Sequence, residues 1–211
     1  AHDAHAGVHV DGGFGLWAAA APQRVALTAG IEHADSWALD AHKWLNVPYD
    51  SGVAICRDEP ALRGAMGVRA AYLVQGTERE PSEYTPELSR RARGVEVWAA
   101  LSSLGRSGLA ELIERSCAQA AMFAGGLRDA GFEILNDVVL NQVLVSFGDD
   151  ETTRRVVSGV QTDGTCWCGG TVWHDRTAMR ISVSSWATTD DDVRRSLGAM
   201  IRVARAVHAA R

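Results

Sequence analysis

Two short apolar runs that each end in charge and tight backbone constrain this chain more than any other feature. Residues 7–10 form an apolar stretch ending at Asp11, followed by Gly12, Gly13 and Gly15, where the backbone must turn tightly or approach something closely. Residues 34–39 form a second stretch, ending in Asp40-Ala41-His42-Lys43-Trp44. Both read as strands. If they lie in one sheet and point the same way, Asp11 and Lys43, 32 positions apart, both reach its carboxyl edge. Ligands of open α/β sheets bind at that edge.

Lys43 stands out because it is the single lysine among 21 Lys and Arg residues. Arginine stays charged, whereas a desolvated lysine amine can lose its proton and attack a carbonyl. A carboxylate and a lone lysine at one sheet edge match what pyridoxal phosphate requires. The lysine holds the aldehyde as a Schiff base, and the carboxylate keeps the pyridine nitrogen protonated. Surface Asp and Lys residues after strands are common, so the surrounding strings must decide.

The rest of the chain reads as an α/β pattern. Residues 16–21 look helical up to Pro22, and Pro48-Tyr49-Asp50 is a turn leading into a third strand at 52–57, antiparallel to the second. Residues 70–90, polar and containing Pro81 and Pro86, read as a long loop. Helices are expected at 95–104 and 108–130, the second with Leu109, Leu112, Ile113, Ala120 and Phe123 on one side. Beyond Gly131 the order is strands at 132–135 and 142–147, a helix at 151–161, a hairpin at 166–184 around His174-Asp175-Arg176, and a terminal helix at 190–210 capped by Thr188 or Thr189. That order predicts a small α/β sandwich with a largely antiparallel sheet.

Composition excludes several classes. The net charge of −5 argues against a nucleic-acid surface, and no apolar run reaches the ~18–20 residues of a membrane span. Cys56, Cys117, Cys166 and Cys168 show no disulfide-framework spacing, as expected of free thiols in the cytoplasm. Cys166 and Cys168 would share one face of a strand. His2, His5 and His9 read as solvated or packed rather than as metal ligands, and no metal is expected. The chain opens at Ala1 almost directly into a strand, which predicts a fragment lacking its N-terminal part.

The strings HVDGGFGLWAAA (9–20) and ADSWALDAHKWLNVPYDSG (34–52) resemble the group II pyridoxal-phosphate-dependent amino-acid decarboxylases, which include the glutamate, aromatic-amino-acid and tyrosine decarboxylases. The resemblance continues through LSRRARGVEVWAALSSLGRSG (88–108) and GTVWHDRTAMRISVSSWATTDDDV (170–193). It implies the C-terminal half of a fold type I enzyme. Residues 1–107 would be the end of the large cofactor domain, and 108–211 a small C-terminal α/β domain with a mainly antiparallel sheet. Lys43 would be the Schiff-base lysine and His42 would contact the phosphate region. Asp11 would pair with the pyridine nitrogen, and Gly13 would lie against a ring face, where relatives often carry alanine. Arg180 would hold the substrate α-carboxylate. The 70–90 loop would be a mobile catalytic loop, with Tyr84 returning a proton to the carbanion. Against these roles stand a packed histidine, an ordinary strand arginine and a loop aromatic.

The resemblance further implies a cytoplasmic homodimer acting on an L-amino acid. Groups that stack on the ring and grip the phosphate come from N-terminal sequence in the family, so this polypeptide alone is expected to be inactive. The alternatives are another reaction on the same cofactor, such as transamination or aldehyde synthesis, and a non-catalytic fragment or pseudoenzyme. Of the seven tryptophans, Trp17, Trp37, Trp44, Trp98 and Trp186 are expected in core or interface. The two cysteines of TCWCGG (165–170) are unusual for the family and bear on substrate shape.

Overall fold

The structure, a computed structural model, describes residues 1–68 and 76–210. It divides into two compact units, Ala1–Arg106 and Ser107–Arg211.

The first unit is built on a three-stranded sheet of β1 (His9–Asp11), β2 (Ser36–Asp40) and β3 (Gly52–Cys56), in the order β1-β2-β3. β1 and β2 run parallel with His9 opposite Ser36 and Asp11 opposite Ala38. β2 and β3 run antiparallel, Asp40 opposite Gly52. The crossover from β1 to β2 contains three short 3-10 segments, Gly15–Ala20, Val25–Thr28 and Ile31–His33. The helix expected at 16–21 is thus a 3-10 turn. Its last carbonyls are met by i+3 donors, and Pro22 follows where an α-helix would need another amide.

α1 (Ala41–Trp44) is a single turn directly on the end of β2. α2 (Glu59–Met66) was not expected from the sequence. It is capped by the Asp58 side chain, which accepts from the Ala61 amide, and Pro60 occupies its first turn. Of the expected 70–90 loop, residues 70–75 lie outside the described residues, and Pro81–Glu83 forms a 3-10 turn. α3 (Gly94–Asp129) is one run with a break at Gly105, whose φ of 61° and ψ of −173° only glycine adopts readily. The two expected helices therefore abut at that residue.

The second unit carries β4 (Glu133–Ile134), β5 (Gln142–Ser146), β6 (Gly169–Trp173) and β7 (Arg176–Ser182), all antiparallel in the order β4-β5-β7-β6. α4 (Asp150–Asp163) and α5 (Asp190–Ala209) complete it. This is the expected α/β arrangement with a mainly antiparallel sheet. The β6–β7 turn is His174-Asp175, both with positive φ (46° and 61°), the mirror-type turn that suits twisted hairpins. Thr189 caps α5 in a reciprocal box with Asp192. The core joins Phe123 and Leu127 of α3, Val143 and Val145 of β5, Phe147, Val156 of α4, Met179 and Ile181 of β7, and Met200 of α5.

Some placements differ from expectation. Cys166 and Cys168 precede β6 rather than lying within a strand, because β7 pairs only back to Gly169. Trp98 and Trp186 are exposed, while Trp17 and Trp44 are buried. None of the helices among the described residues is long and apolar enough to cross a membrane.

Candidate active site

The parallel register of β1 and β2 brings Asp11 and the turn carrying Lys43 to one sheet edge. The ladder continues past the strands: the Gly12 amide donates to Ala38 O at 2.8 Å, and the Asp40 amide to Gly13 O at 3.2 Å. Gly13 is thereby set beside Asp40. A β-carbon built on Gly13 would lie 2.7 Å from both Lys43 Nζ and Asp40 Oδ2, so the amine packs against bare backbone. Asp11 is exposed at the end of β1.

Lys43 Nζ lies 2.6 Å from Asp40 Oδ2 and 5.0 Å from the centroid of the Phe14 ring. The ion pair is half-exposed, a geometry that holds the amine in place more than it stabilises the fold. Asp40 is the site residue that sequence reasoning missed. Its signal was present as the i,i+3 spacing to Lys43, but the side chain turns towards the amine only because β2 passes straight into a helical turn. The Trp17 indole donates to Asp40 O at 3.2 Å and fixes that transition. Phe14 meets buried Trp44 edge-on at 5.3 Å, which walls the amine on one side.

His42 is held by one acceptor. Its backbone amide and its Nδ1 both address Ser51 O, each at 3.2 Å. A carbonyl partner makes Nδ1 the donor and leaves Nε2 available. The ring lies against Tyr49 at 4.6 Å. Trp44 Nε1 and Ser51 Oγ, both buried, have no hydrogen-bond partner among the described residues. This end of the sheet thus retains unused polar capacity, an uncommon condition for buried groups.

Tyr84 sits in a separate set of contacts. Its hydroxyl donates to the Glu59 carboxylate, and the Arg79 guanidinium lies 4.0 Å over its ring. Donating its hydroxyl proton to the Glu59 carboxylate raises the phenol's pKa above its ordinary value, with burial adding to the effect. A cavity of about 670 Å³ lies there, lined by Glu59, Arg63 and Glu83. The contacts of Lys43 are Asp40 and Phe14, not this group. Arg180 belongs to the second unit. It is exposed on β7 between Leu144 and Gly169, on the face opposite buried Met179 and Ile181.

The family model described as the pyridoxal-dependent decarboxylase conserved domain matches residues 1–148, more than half of the chain. The chain belongs to the pyridoxal-dependent decarboxylase family. Histidine decarboxylase of Drosophila melanogaster is 30% identical over 194 residues, covering 90% of this chain and 23% of that protein. Aromatic-L-amino-acid decarboxylase of Drosophila lebanonensis is 28% identical over 193 residues, covering 88% and 47%. Among solved structures, Oryza sativa TDC with PLP and tryptamine superposes with a TM-score of 0.88 at 23% identity, covering 95% of this chain and 45% of that one. Catharanthus roseus tryptophan decarboxylase in complex with L-tryptophan gives 0.85 at 21%, covering 98% and 46%. This decarboxylase-family chain thus has the relatives' fold and spans less than half the length of each.

The cofactor that the family name implies fits the residues present. The edge offers a carboxylate, an amine and an imidazole, and Gly13 leaves the amine's flank free of any side chain.

Proposed function

We propose that this chain is part of a pyridoxal-phosphate-dependent carboxy-lyase that converts an L-amino acid into an amine and carbon dioxide. The observation that carries the reading is the shared edge of β1 and β2, with Asp11 at one strand end and Lys43 on the turn after the other. When bound, the cofactor supplies an electron sink for the pair left behind as the carboxylate departs. Lys43 provides the amine that anchors the aldehyde, and it must first leave Asp40 Oδ2. Asp11 would pair with the pyridine nitrogen, where its negative charge would keep that nitrogen protonated. His42, pinned through Ser51, would contact the phosphate region, and Gly13 would lie against a ring face.

Arg180 would receive the substrate carboxylate with its planar fork. Tyr84 would return a proton to carbon, exchanging Glu59 for the substrate as it does so. The first unit corresponds to the end of the cofactor domain (1–107), and the second to a small C-terminal domain (108–211). We place the complete enzyme in the cytoplasm as a homodimer.

The test uses the uniqueness of Lys43. Borohydride reduction of protein incubated with pyridoxal phosphate should fix a pyridoxyl group on the peptide containing Lys43, and Lys43→Arg should abolish it. Because there is no second lysine, the N-terminal amine is the remaining amine that can compete. A label confined to that terminus, with Lys43 unmodified, would reject the assignment. Product analysis then separates amine from aldehyde.

A further inference from the structure

Cys166 and Cys168 take no part in the reading above. They flank Trp167 in the segment that leads from α4 into β6. α4 ends at Asp163, with Gly164 left-handed at φ 76°. Thr165 Oγ1 donates to Asp163 Oδ1 at 2.6 Å, and Gln161 Nε2 donates to Cys168 O at 2.8 Å. The backbone is therefore fixed on both sides of the pair. Trp167 is turned outward and is exposed, while Cys168 is buried in the core of the second unit and Cys166 is half-buried against it.

Both thiols border a cavity of about 180 Å³, whose other walls include Phe123, Asp192, Ser196 and Met200. That is ample room for a small polar oxidant, since one water takes up ~30 Å³ in the liquid. The two cysteines, two positions apart, and Ser196 line this one cavity together. The contact is asymmetric. The bond from Cys168, helped by Ser196, pulls Cys166 down to about 7 against the opposing effect of burial. The same contact, with burial, pushes Cys168 up. One sulfur is thus set as nucleophile and its neighbour as proton donor.

We propose that Cys166 and Cys168 form a hydroperoxide-reactive dithiol, a modification site that closes reversibly to a disulfide within the second unit. The Cys166 thiolate attacks one oxygen of the peroxide. A sulfur–oxygen bond forms, the oxygen–oxygen bond breaks, and the leaving oxygen takes the Cys168 proton. The Cys168 thiolate then attacks the Cys166 sulfur, forming the disulfide and expelling hydroxide, which solvent protonates. Two thiols lose two electrons, and one hydrogen peroxide becomes two water molecules. Cysteines two positions apart that line one cavity have Cα atoms close to the span a disulfide needs.

The experiment treats the folded protein with hydrogen peroxide, blocks remaining thiols and digests with trypsin. Both cysteines fall in the single peptide 156–176. That peptide should lose two hydrogen atoms, and dithiothreitol should restore them. At neutral pH a thiol near 7 carries ~50-fold more thiolate than an ordinary one, and its lower basicity removes roughly tenfold in nucleophilicity. Cys166 should therefore react about fivefold faster than an ordinary free thiol. Cys166→Ser should abolish the loss and leave Cys168 reduced. Cys168→Ala should let Cys166 accumulate as a sulfenic acid that dimedone captures. Two results would overturn the proposal: direct passage of Cys166 to sulfinic acid without the two-hydrogen loss, or a disulfide that forms as fast in the urea-unfolded chain as in the folded one.

Discussion

The central strand of the first sheet, β2, keeps all five of its residues half-buried, whereas β5 in the second unit buries four of its five. No strand of the first sheet contains a buried residue. The main hydrophobic core lies wholly in the second unit, running from Ala120 to Ala204. Yet Asp11, Gly13, His42 and Lys43 all belong to the first. The main core and the candidate site residues thus lie in different units. A sheet with a parallel pair is ordinarily covered on both faces, and the first unit supplies little to cover it. Its buried side chains, such as Trp17, Ala41 and Trp44, lie in the segments that follow the strands.

The sharpest way to break this contrast is native-state hydrogen exchange. Amides of β5 and β7 should exchange only through cooperative opening, and those of β1 and β2 through local opening, with protection differing on the order of a hundredfold or more. Equal protection would show that the first sheet is as firmly held as the second. Core truncation sharpens the contrast. Phe147, 1% exposed, should cost ~3–5 kcal/mol on replacement by alanine. Leu39→Ala in half-buried β2 should cost ~1 kcal/mol, and urea unfolding measures both.

A smaller effect concerns the first unit's ion cluster. Arg91 and then Arg93 hold the Asp50 carboxyl down at about 2, with Arg93 Nε at 2.9 Å. A depressed carboxyl contributes stability that is fully present above its unfolded value, near 4, and disappears as pH falls through about 2. Proteolysis after Arg90 or Arg91 should therefore quicken between about pH 4 and 2 with an acid-active protease of suitable specificity. Asp50→Asn should remove that pH dependence while leaving the second unit unchanged. A wild-type rate that stays flat across this range would rule out the anchoring role.

The second unit was legible because its signals are local. Apolar spacing marked the buried face of α3, Thr189 ahead of three aspartates marked α5, and the β6–β7 turn lay inside its predicted hairpin. The edge was legible too, since Asp11 and Lys43 follow apolar runs whose common direction the register bears out. α2 escaped because it has no buried residue, so periodicity had nothing to report, although Asp58 and Pro60 announced its start. Asp40 escaped because its partner is set by the turn from strand into helix. The pairing of Asp50 with Arg91, 41 positions apart, is a tertiary fact that charge counts do not contain.

The register of the two sheets also sets the order in which they can assemble. Trp173 meets Arg176 three residues on, a closure that hairpins reach within ~1–10 μs. His9 meets Ser36 only after the whole crossover of 3-10 turns has been laid down. Parallel contacts across such a span are entropically costly until their neighbours are in place. The edge that carries Asp11 and Lys43 is therefore a late product of folding, completed after the β6–β7 hairpin. A refolding chain thus pairs β6 with β7 before it pairs β1 with β2.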